Sequence, residues 1–435
     1  MVIGQIESLG SSLYLRYLRR MIFRYLGIFF GLAFIQCHTR SSDVQIQSIS
    51  SPATLFAETP NWYLSAQDKL YLSWTQHVQD TIASLRYSVW QDSSWADTRL
   101  VAQGNDWFVN WADFPSITTF ASSDLSVMGH FLQKSDTGRN YNYGVRLSLS
   151  RDGGETFRTT DQLHDPAPAE HGFVSLLPFS FDKVLTVWLD GRAMTGDHGH
   201  NTVLDTTAAG LAHAMQLRSA MVDFDGHVLL PQIIDDRVCE CCQTDVTMTP
   251  KGPVVVYRNR TATEERDIYF SRYQAGQWSV PRAVYEDHWV IPGCPVNGPA
   301  IASFKNKLAV VWYSEAGGKP SIKLSLFNVE EDRFSPPVAI KTSYTLGRLD
   351  IVWLDDHRVA VSFVNKKAKD REEAMIKLAI FDESDQSLTQ YNLDTISSKR
   401  RSGFPVLEKY KEALYLAYTQ VKGEATAIHI KKITW

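Results

Sequence analysis

The sequence predicts an all-β fold, a seven-bladed β-propeller of four-stranded antiparallel blades, and three observations carry that expectation. A fully apolar or alternating strand returns seven times at intervals of roughly 50 to 70 residues, the spacing of propeller blades. Each return is flanked by shorter alternating strands enriched in β-branched and aromatic residues. A fourth, weaker strand such as Phe334-Ser335-Pro336-Pro337-Val338-Ala339-Ile340 then ends each unit, which makes it a four-stranded meander. A six-bladed ring is the alternative count.

In chain order the first element is a targeting segment. Arg16, Arg19, Arg20 and Arg24 precede an apolar run over residues 25–35, followed by Gln36, Cys37 and a polar tract. About ten apolar residues fall short of the roughly 20 that span a bilayer, but they suit the apolar region of an export signal. Met21 is an internal start that would leave a compact signal. Cys37 closes the run where bacterial lipoproteins carry their acylated cysteine; conventional cleavage and an uncleaved anchor are the other readings. The expected organisation is an export signal over 1–37, a polar spacer over 38–50 and one propeller domain over 51–435, placed in the bacterial cell envelope as a lipoprotein or periplasmic protein. The membrane is then met only through the N-terminal lipid or signal.

The repeated strand reads Leu70-Tyr71-Leu72-Ser73-Trp74, Leu125-Ser126-Val127-Met128-Gly129, Val184-Leu185-Thr186-Val187-Trp188, Val254-Val255-Val256-Tyr257, Leu308-Ala309-Val310-Val311-Trp312, Val359-Ala360-Val361-Ser362-Phe363 and Leu414-Tyr415-Leu416-Ala417-Tyr418. A short strand precedes each and a period-2 strand such as Ile322-Lys323-Leu324-Ser325-Leu326 follows, so every unit is a meander, A to D from the axis outward. Seven A-B-C sets meet only six D strands between them. The missing outer strand is expected from residues 53–57, which would close the ring and cover an exposed edge.

Meander geometry sorts the connections by face. D-to-A and B-to-C loops share one face, called upper here, and the A-to-B and C-to-D hairpins share the other. The upper loops are the long ones and carry the unusual side chains, as expected when a rigid scaffold displays a site. On them lie Trp107, Asn110, Trp111, Asp113, Asp190, Arg192, His198, His200, Arg258 and Asn297, the candidate ligand-binding residues. Trp107 and Trp111 are candidates for a sugar-stacking platform or for loop anchors. Asp190 and Arg192 form an anion site or a local clamp. The formal charge of -4 offers no basic stripe and excludes a nucleic-acid partner.

The stretch Asp235-Asp236-Arg237-Val238-Cys239-Glu240-Cys241-Cys242-Gln243-Thr244-Asp245 gathers three of five cysteines, and Cys294 follows on the next D-to-A loop. Loop polarity brings Cys239, Cys241, Cys242 and Cys294 to one upper-face cluster. In an exported protein two disulfides are one reading. A site for a soft metal, Cu or Zn, with His171, His198 or His200 able to complete the coordination, is the second. A redox-active or ligand-gripping disulfide is the third.

The turn Ser150-Arg151-Asp152-Gly153-Gly154-Glu155-Thr156-Phe157 resembles the Asp-box of sialidases and related propellers, a lower-face hairpin that speaks for fold rather than chemistry. Asn110-Trp111-Ala112-Asp113-Phe114-Pro115, Trp188-Leu189-Asp190-Gly191-Arg192, Cys239-Glu240-Cys241-Cys242-Gln243-Thr244 and Cys294-Pro295-Val296-Asn297-Gly298-Pro299-Ala300 resemble exported bacterial proteins of sialidase-like type. The resemblance implies a propeller over residues 50–435. For a sialidase it implies three arginines on the substrate carboxylate, a Tyr-Glu nucleophile and an Asp acid/base, for which Arg192, Arg258, Arg348, Tyr285, Tyr344 and Asp113 are the upper-face residues of the right type. The Arg-Ile-Pro segment of sialidases is missing. The functional expectation is an envelope propeller whose cysteine-bearing pocket takes a small molecule, a glycan or a soft metal ion. An exo-glycosidase acting on acidic sugars and a protein-interaction scaffold are the alternatives.

Overall fold

A computed structural model of the chain describes residues 44–79, 81–135, 142–194 and 214–435. The export segment, Cys37, His198 and His200 lie outside the described residues.

Seven antiparallel sheets form the ring. Strand β1 (Gln45–Ile49) comes first in the chain. The first blade is β2 (Ala57–Leu64), β3 (Leu70–Gln79), β4 (Ile82–Trp90) and β5 (Arg99–Gly104), and the second is β6 (Ser116–Phe120), β7 (Ser123–Lys134), β8 (Tyr143–Ser150) and β9 (Arg158–Gln162). The third is β10 (His171–Ser180), β11 (Lys183–Asp190), β12 (Met215–Asp223) and β13 (Val228–Val238). In the fourth, β14 (Asp245–Thr249), β15 (Gly252–Arg258) and β16 (Ile268–Gln274) are followed by an outer strand broken into β17 (Gln277–Trp278) and β18 (Arg282–Tyr285). The fifth repeats that break: β19 (Ala300–Phe304), β20 (Lys307–Ser314), β21 (Ser321–Asn328), then β22 (Arg333–Phe334) and β23 (Val338–Ile340). The sixth is β24 (Thr345–Trp353), β25 (Arg358–Lys366), β26 (Glu373–Asp382) and β27 (Ser387–Ser397), and the last β28 (Val406–Tyr410), β29 (Ala413–Lys422) and β30 (Ala425–Thr434).

Each blade's second strand is one of the repeated apolar segments. It is covered by neighbouring blades on both faces, which is why it reads as a continuous apolar run; β11 is buried from Val184 to Asp190. Trp74, Trp188 and Trp312 occupy such strands in the first, third and fifth blades and are fully buried.

The ring closes earlier in the chain than the sequence suggested. Strand β1 pairs antiparallel with β30, from Gln45 opposite Thr434 to Ile49 opposite Ile430, and completes the seventh blade. Residues 53–57 are therefore not the closing strand, and the spacer expected over 38–50 contains it. The physical reason is distance: β1 lies at the rim and β2 at the axis, so the intervening residues are used in crossing the blade. Phe56 N–H donates to the Thr426 carbonyl at 2.7 Å during that crossing.

The Asp-box turn adopts the geometry its residues dictate. Asp152 accepts from Thr156 N–H at 3.0 Å and Thr156 Oγ1 at 2.6 Å, which holds its carboxyl below the usual range. Gly153 and Gly154 take φ of 77° and 85°, a region that favours glycine. Phe157 packs edge-on to Tyr87 of the first blade, so the turn ties two blades together on the lower face.

Candidate functional site

The innermost strands surround an axial channel of about 620 Å³. Three carboxylates seal its wall, each accepting a backbone N–H from the next blade. Asp113 Oδ1 accepts from Phe173 at 2.7 Å, Asp245 Oδ2 from Ile301 at 2.8 Å and Asp350 Oδ2 from Leu407 at 2.6 Å. Burial outweighs these bonds and raises the carboxyls, Asp113 and Asp350 to about 8 and Asp245 to about 7. Among the described residues no cysteine lines this channel, but Gln243, adjacent to Cys242, does.

Gln243 is the brace across the upper end. Its Nε2 donates to the Ala112 carbonyl at 2.8 Å and its Oε1 accepts from Gly298 N–H at 3.0 Å, linking the loops that enter the second, fourth and fifth blades. Gly298 is required at that crossing, since a Cβ there would lie 2.0 Å from the Gln243 carbonyl oxygen. The loop of residues 239–244 is thereby pressed against the loop of residues 286–299.

That contact brings the four sulfurs together. One ligand atom from each of Cys239, Cys241, Cys242 and Cys294 lies within 4.8 Å of every other. Cys241 and Cys294 are joined as a disulfide with Cα atoms 6.2 Å apart. Cys239 Sγ lies 3.3 Å from Cys242 Sγ and 3.8 Å from Cys294 Sγ. Cys239 and Cys242 are buried, Cys241 is half-buried and Cys294 is exposed.

Three guanidiniums surround this cluster. Arg266, 1% exposed, donates from Nη1 to Cys239 Sγ at 3.3 Å and to Glu240 Oε2 at 2.8 Å, and from Nη2 to Glu264 Oε2 at 2.8 Å. Arg260 completes a ring by bonding both Glu240 and Glu264. Arg258, 2% exposed, donates only to carbonyls, those of Arg266 at 2.7 Å and of Asn297 and Tyr313 at 2.8 Å each, while its plane lies 4.9 Å from the Trp289 ring. Among the described residues no carboxylate pairs with Arg258, so three cations face two anions. A buried unpaired charge costs several kcal/mol, roughly, unless something of opposite sign lies near. Burial opposes ionisation at both buried cysteines, but at Cys239 the Cys242 hydrogen bond and the Arg266 charge reverse that and lower its pKa. Cys242 is correspondingly raised by burial and by Cys239, with Arg258 acting against the rise.

The other expected site residues take local partners. Trp107 is 6% exposed and stacks on Phe131 at 4.4 Å, so it anchors its loop and presents no stacking face. Trp111 stacks on Phe404 at 5.7 Å beneath the Arg348 guanidinium at 5.1 Å. Asn110 Oδ1 accepts from Ala112 N–H at 2.9 Å, turning the loop toward Asp113. Asn297 Nδ2 donates to the carbonyls of Pro295 and Leu346, and its Oδ1 accepts from Arg348 N–H at 2.9 Å.

Asp190 is a clamp. It accepts from Trp188 Nε1 at 2.9 Å and from Arg192 Nε and Nη2 at 2.8 Å each, while His171 Nε2 lies 3.4 Å away. Burial raises its pKa, yet the bonds from His171, Arg192 and Trp188 more than reverse this. His171 is thus tied to Asp190 and is outside the sulfur cluster. The arginines available to grip a carboxylate are all engaged: Arg192 with Asp190 and Asp165, Arg258 with carbonyls, and Arg348 with the carbonyls of Ser398 and Lys399.

Sequence reasoning overlooked Arg266 and Glu264. The signal was present in Arg258-Asn259-Arg260-Thr261-Ala262-Thr263-Glu264-Glu265-Arg266-Asp267, a loop of alternating charge entered directly from a fully buried strand.

No protein-family model matches the chain, and no curated protein matches it. Solved structures do. An ulvan lyase described as a new family of polysaccharide lyase superposes with a TM-score of 0.50 at 10% identity, over 88% of this chain and 95% of that one. A protein of unknown function from Dyadobacter fermentans gives 0.48 at 12%, over 90% and 99%. A sialidase from Trypanosoma rangeli gives 0.43 at 12%, over 79% of this chain and 56% of the sialidase. At such identities the likeness is one of fold.

Proposed function

We propose that this is an exported bacterial propeller that binds one thiophilic divalent cation, Zn²⁺ in preference to Cu⁺, through Cys239, Cys241, Cys242 and Cys294. The observation that carries this reading is the convergence of four sulfurs from two loops that the sequence separates by more than fifty residues. Zinc bound by four thiolates has Zn–S distances of about 2.3 Å, which sets the sulfurs about 3.8 Å apart on a tetrahedron. The Cys239–Cys242 and Cys239–Cys294 separations of 3.3 and 3.8 Å bracket that edge closely enough for small side-chain rotations to meet it.

Charge supports the divalent ion. Four thiolates around a dication carry two negative charges, and the unpaired Arg258 together with the Arg266 hydrogen bond to Cys239 offsets part of them. A monovalent ion would leave three. Localisation in the envelope is supported by the arginine-flanked apolar run before Cys37.

The test is metal content and spectroscopy of protein reduced and purified without oxygen. One Zn²⁺ per chain is expected, and replacement by Co²⁺ should give the intense near-ultraviolet thiolate-to-cobalt bands of a tetrathiolate site. Reduced protein that neither retains Zn²⁺ nor develops those bands would refute the proposal.

A further inference from the structure

The four sulfurs are not equivalent, and the inequality points to a second chemistry at the same loops. Cys241 and Cys294 share a covalent bond, and Cys239 and Cys242 are free thiols. A centre in that state offers two ligands instead of four. The bonded pair is also the pair nearer solvent: Cys294 is exposed and Cys241 half-buried, whereas both free thiols are buried.

From this we infer that Cys294 is a thiol–disulfide exchange site, at which a dithiol reductant opens the Cys241–Cys294 bond and so loads the metal centre. The inference rests on the metal-binding reading above. An incoming thiolate attacks Cys294 Sγ, the accessible sulfur; the Cys241–Cys294 bond breaks and its electron pair leaves on Cys241 as thiolate. A mixed disulfide now joins the reductant to Cys294. The reductant's second thiol attacks its own sulfur in that bond, releases Cys294 as thiolate and departs as a cyclic disulfide. Two electrons have passed from the dithiol to the protein, and the dithiol's two protons remain with the released sulfurs or the solvent. Four thiols then bind one divalent cation and give up four protons. Oxidation by a disulfide of higher potential runs the sequence backward and expels the ion.

Three features fit this role. The backbone of the loop bearing Cys294 is held on either side of the cysteine, Ile291 N–H donating to the Glu264 carbonyl at 3.0 Å and the Asn297 carbonyl accepting from the Arg258 side chain Nη2 at 2.8 Å, so opening the bond does not release the loop. Gln243 and Gly298 clamp the two loops independently of the disulfide. Cys239 keeps its place beside Arg266 in either redox state, because Cys239 N–H is bonded to the Arg258 carbonyl at 2.9 Å.

The experiment compares the purified protein after glutathione disulfide with the same protein after dithiothreitol. Both samples are exposed to Zn²⁺, cleared of unbound metal, and read for ion content and for alkylated cysteine peptides. The expected result is no retained Zn²⁺ with Cys241 and Cys294 blocked in the oxidised sample, and one Zn²⁺ with all four cysteines alkylated after metal removal in the reduced one. In a dithiothreitol titration the ion count should follow opening of that one disulfide. Cys241→Ser should leave a Cys294 thiol that captures glutathione, with the adduct on the Cys294 peptide. Retention of one Zn²⁺ while the Cys241–Cys294 bond is intact overturns the inference and leaves the metal site standing. An adduct on Cys239 or Cys242 in place of Cys294 also overturns it, and absence of Zn²⁺ from both samples removes the metal site itself. Melting temperatures of wild type and Cys241→Ser within a few degrees of each other confirm that the readouts come from folded protein.

Discussion

Arg266 and Glu240 are held together at 2.8 Å directly beside Cys239, with Arg266 Nη1 also 3.3 Å from the cysteine sulfur. One nitrogen therefore serves a carboxylate and a sulfur, and the guanidinium has no room to swing away because Glu264 holds its other arm at 2.8 Å. Arg266 orients the Cys239 sulfur and places positive charge beside it at once.

Arg266→Met should accordingly do two separable things. Leaving Glu264 and Glu240 with one cation in place of two removes a partner from a buried ionic network, a loss of about 3–5 kcal/mol of folding stability. Urea denaturation reads that term. Zinc affinity should fall as well, by about tenfold or more, the range seen when groups behind metal ligands are removed. Arg266→Lys should recover part of the affinity by keeping the charge but little of the stability, since a lysine lacks the planar fork that reaches both glutamates. Equal affinity in all three proteins would show that Arg266 plays no part in the centre.

Gly298→Ala probes the brace across the channel mouth. A Cβ 2.0 Å from the Gln243 carbonyl oxygen meets backbone, so the loops must move apart. Overpacking of this kind costs about 1–3 kcal/mol. Because the same two loops carry the cysteines, Zn²⁺ release from reduced protein should be faster than in wild type. A variant of unchanged stability and unchanged release would mean that the loops are set by something other than this crossing.

The blades were legible in the sequence because the second strand of each is covered on both faces. Val184-Leu185-Thr186-Val187-Trp188 can hardly be read otherwise than as a buried strand. Ring closure was misplaced for the opposite reason. Gln45-Ile46-Gln47-Ser48-Ile49 is an outer strand whose residues are mostly exposed, so its composition matches that of a linker. Convergence of Cys294 on the Cys239 loop followed from loop polarity alone. The orientation of the loop arginines did not, since whether Arg258 turns to solvent or inward depends on Asn297, Arg266 and Tyr313 carbonyls supplied by three different segments.

Trp107→Ala distinguishes a loop anchor from a binding platform. The indole is buried on Phe131, and truncating a buried aromatic of that size costs about 3–5 kcal/mol through lost contact and the cavity left behind. The melting temperature should drop by several degrees while Zn²⁺ stoichiometry in the folded protein stays at one. A stable variant with altered ligand or metal binding would place Trp107 in a binding surface after all.

The axial carboxylates give stability a pH dependence whose sign can be derived. Asp113 and Asp350 are raised to about 8 and Asp245 to about 7, burial being the first cause in each. In the unfolded chain such groups titrate near 4, roughly, so between that value and the folded one the native state binds more protons than the unfolded state. Stability must then fall as pH rises through the window. Buried His130 and His164, lowered to about 3 and about 4 mainly by burial, act in the opposite sense, but only up to the ordinary histidine range. From about pH 6.5 to about pH 8 Cys239, lowered to about 6 although burial opposes it, works against the carboxylates, so their contribution is read as a difference between wild type and a variant lacking one of them. In urea unfolding of metal-free protein, the stability of wild type relative to Asp350→Asn, which keeps an acceptor for Leu407 N–H, should decrease across that interval. A difference that is constant or grows in favour of wild type between those pH values would mean that the Leu407 N–H bond keeps Asp350 ionised despite its burial.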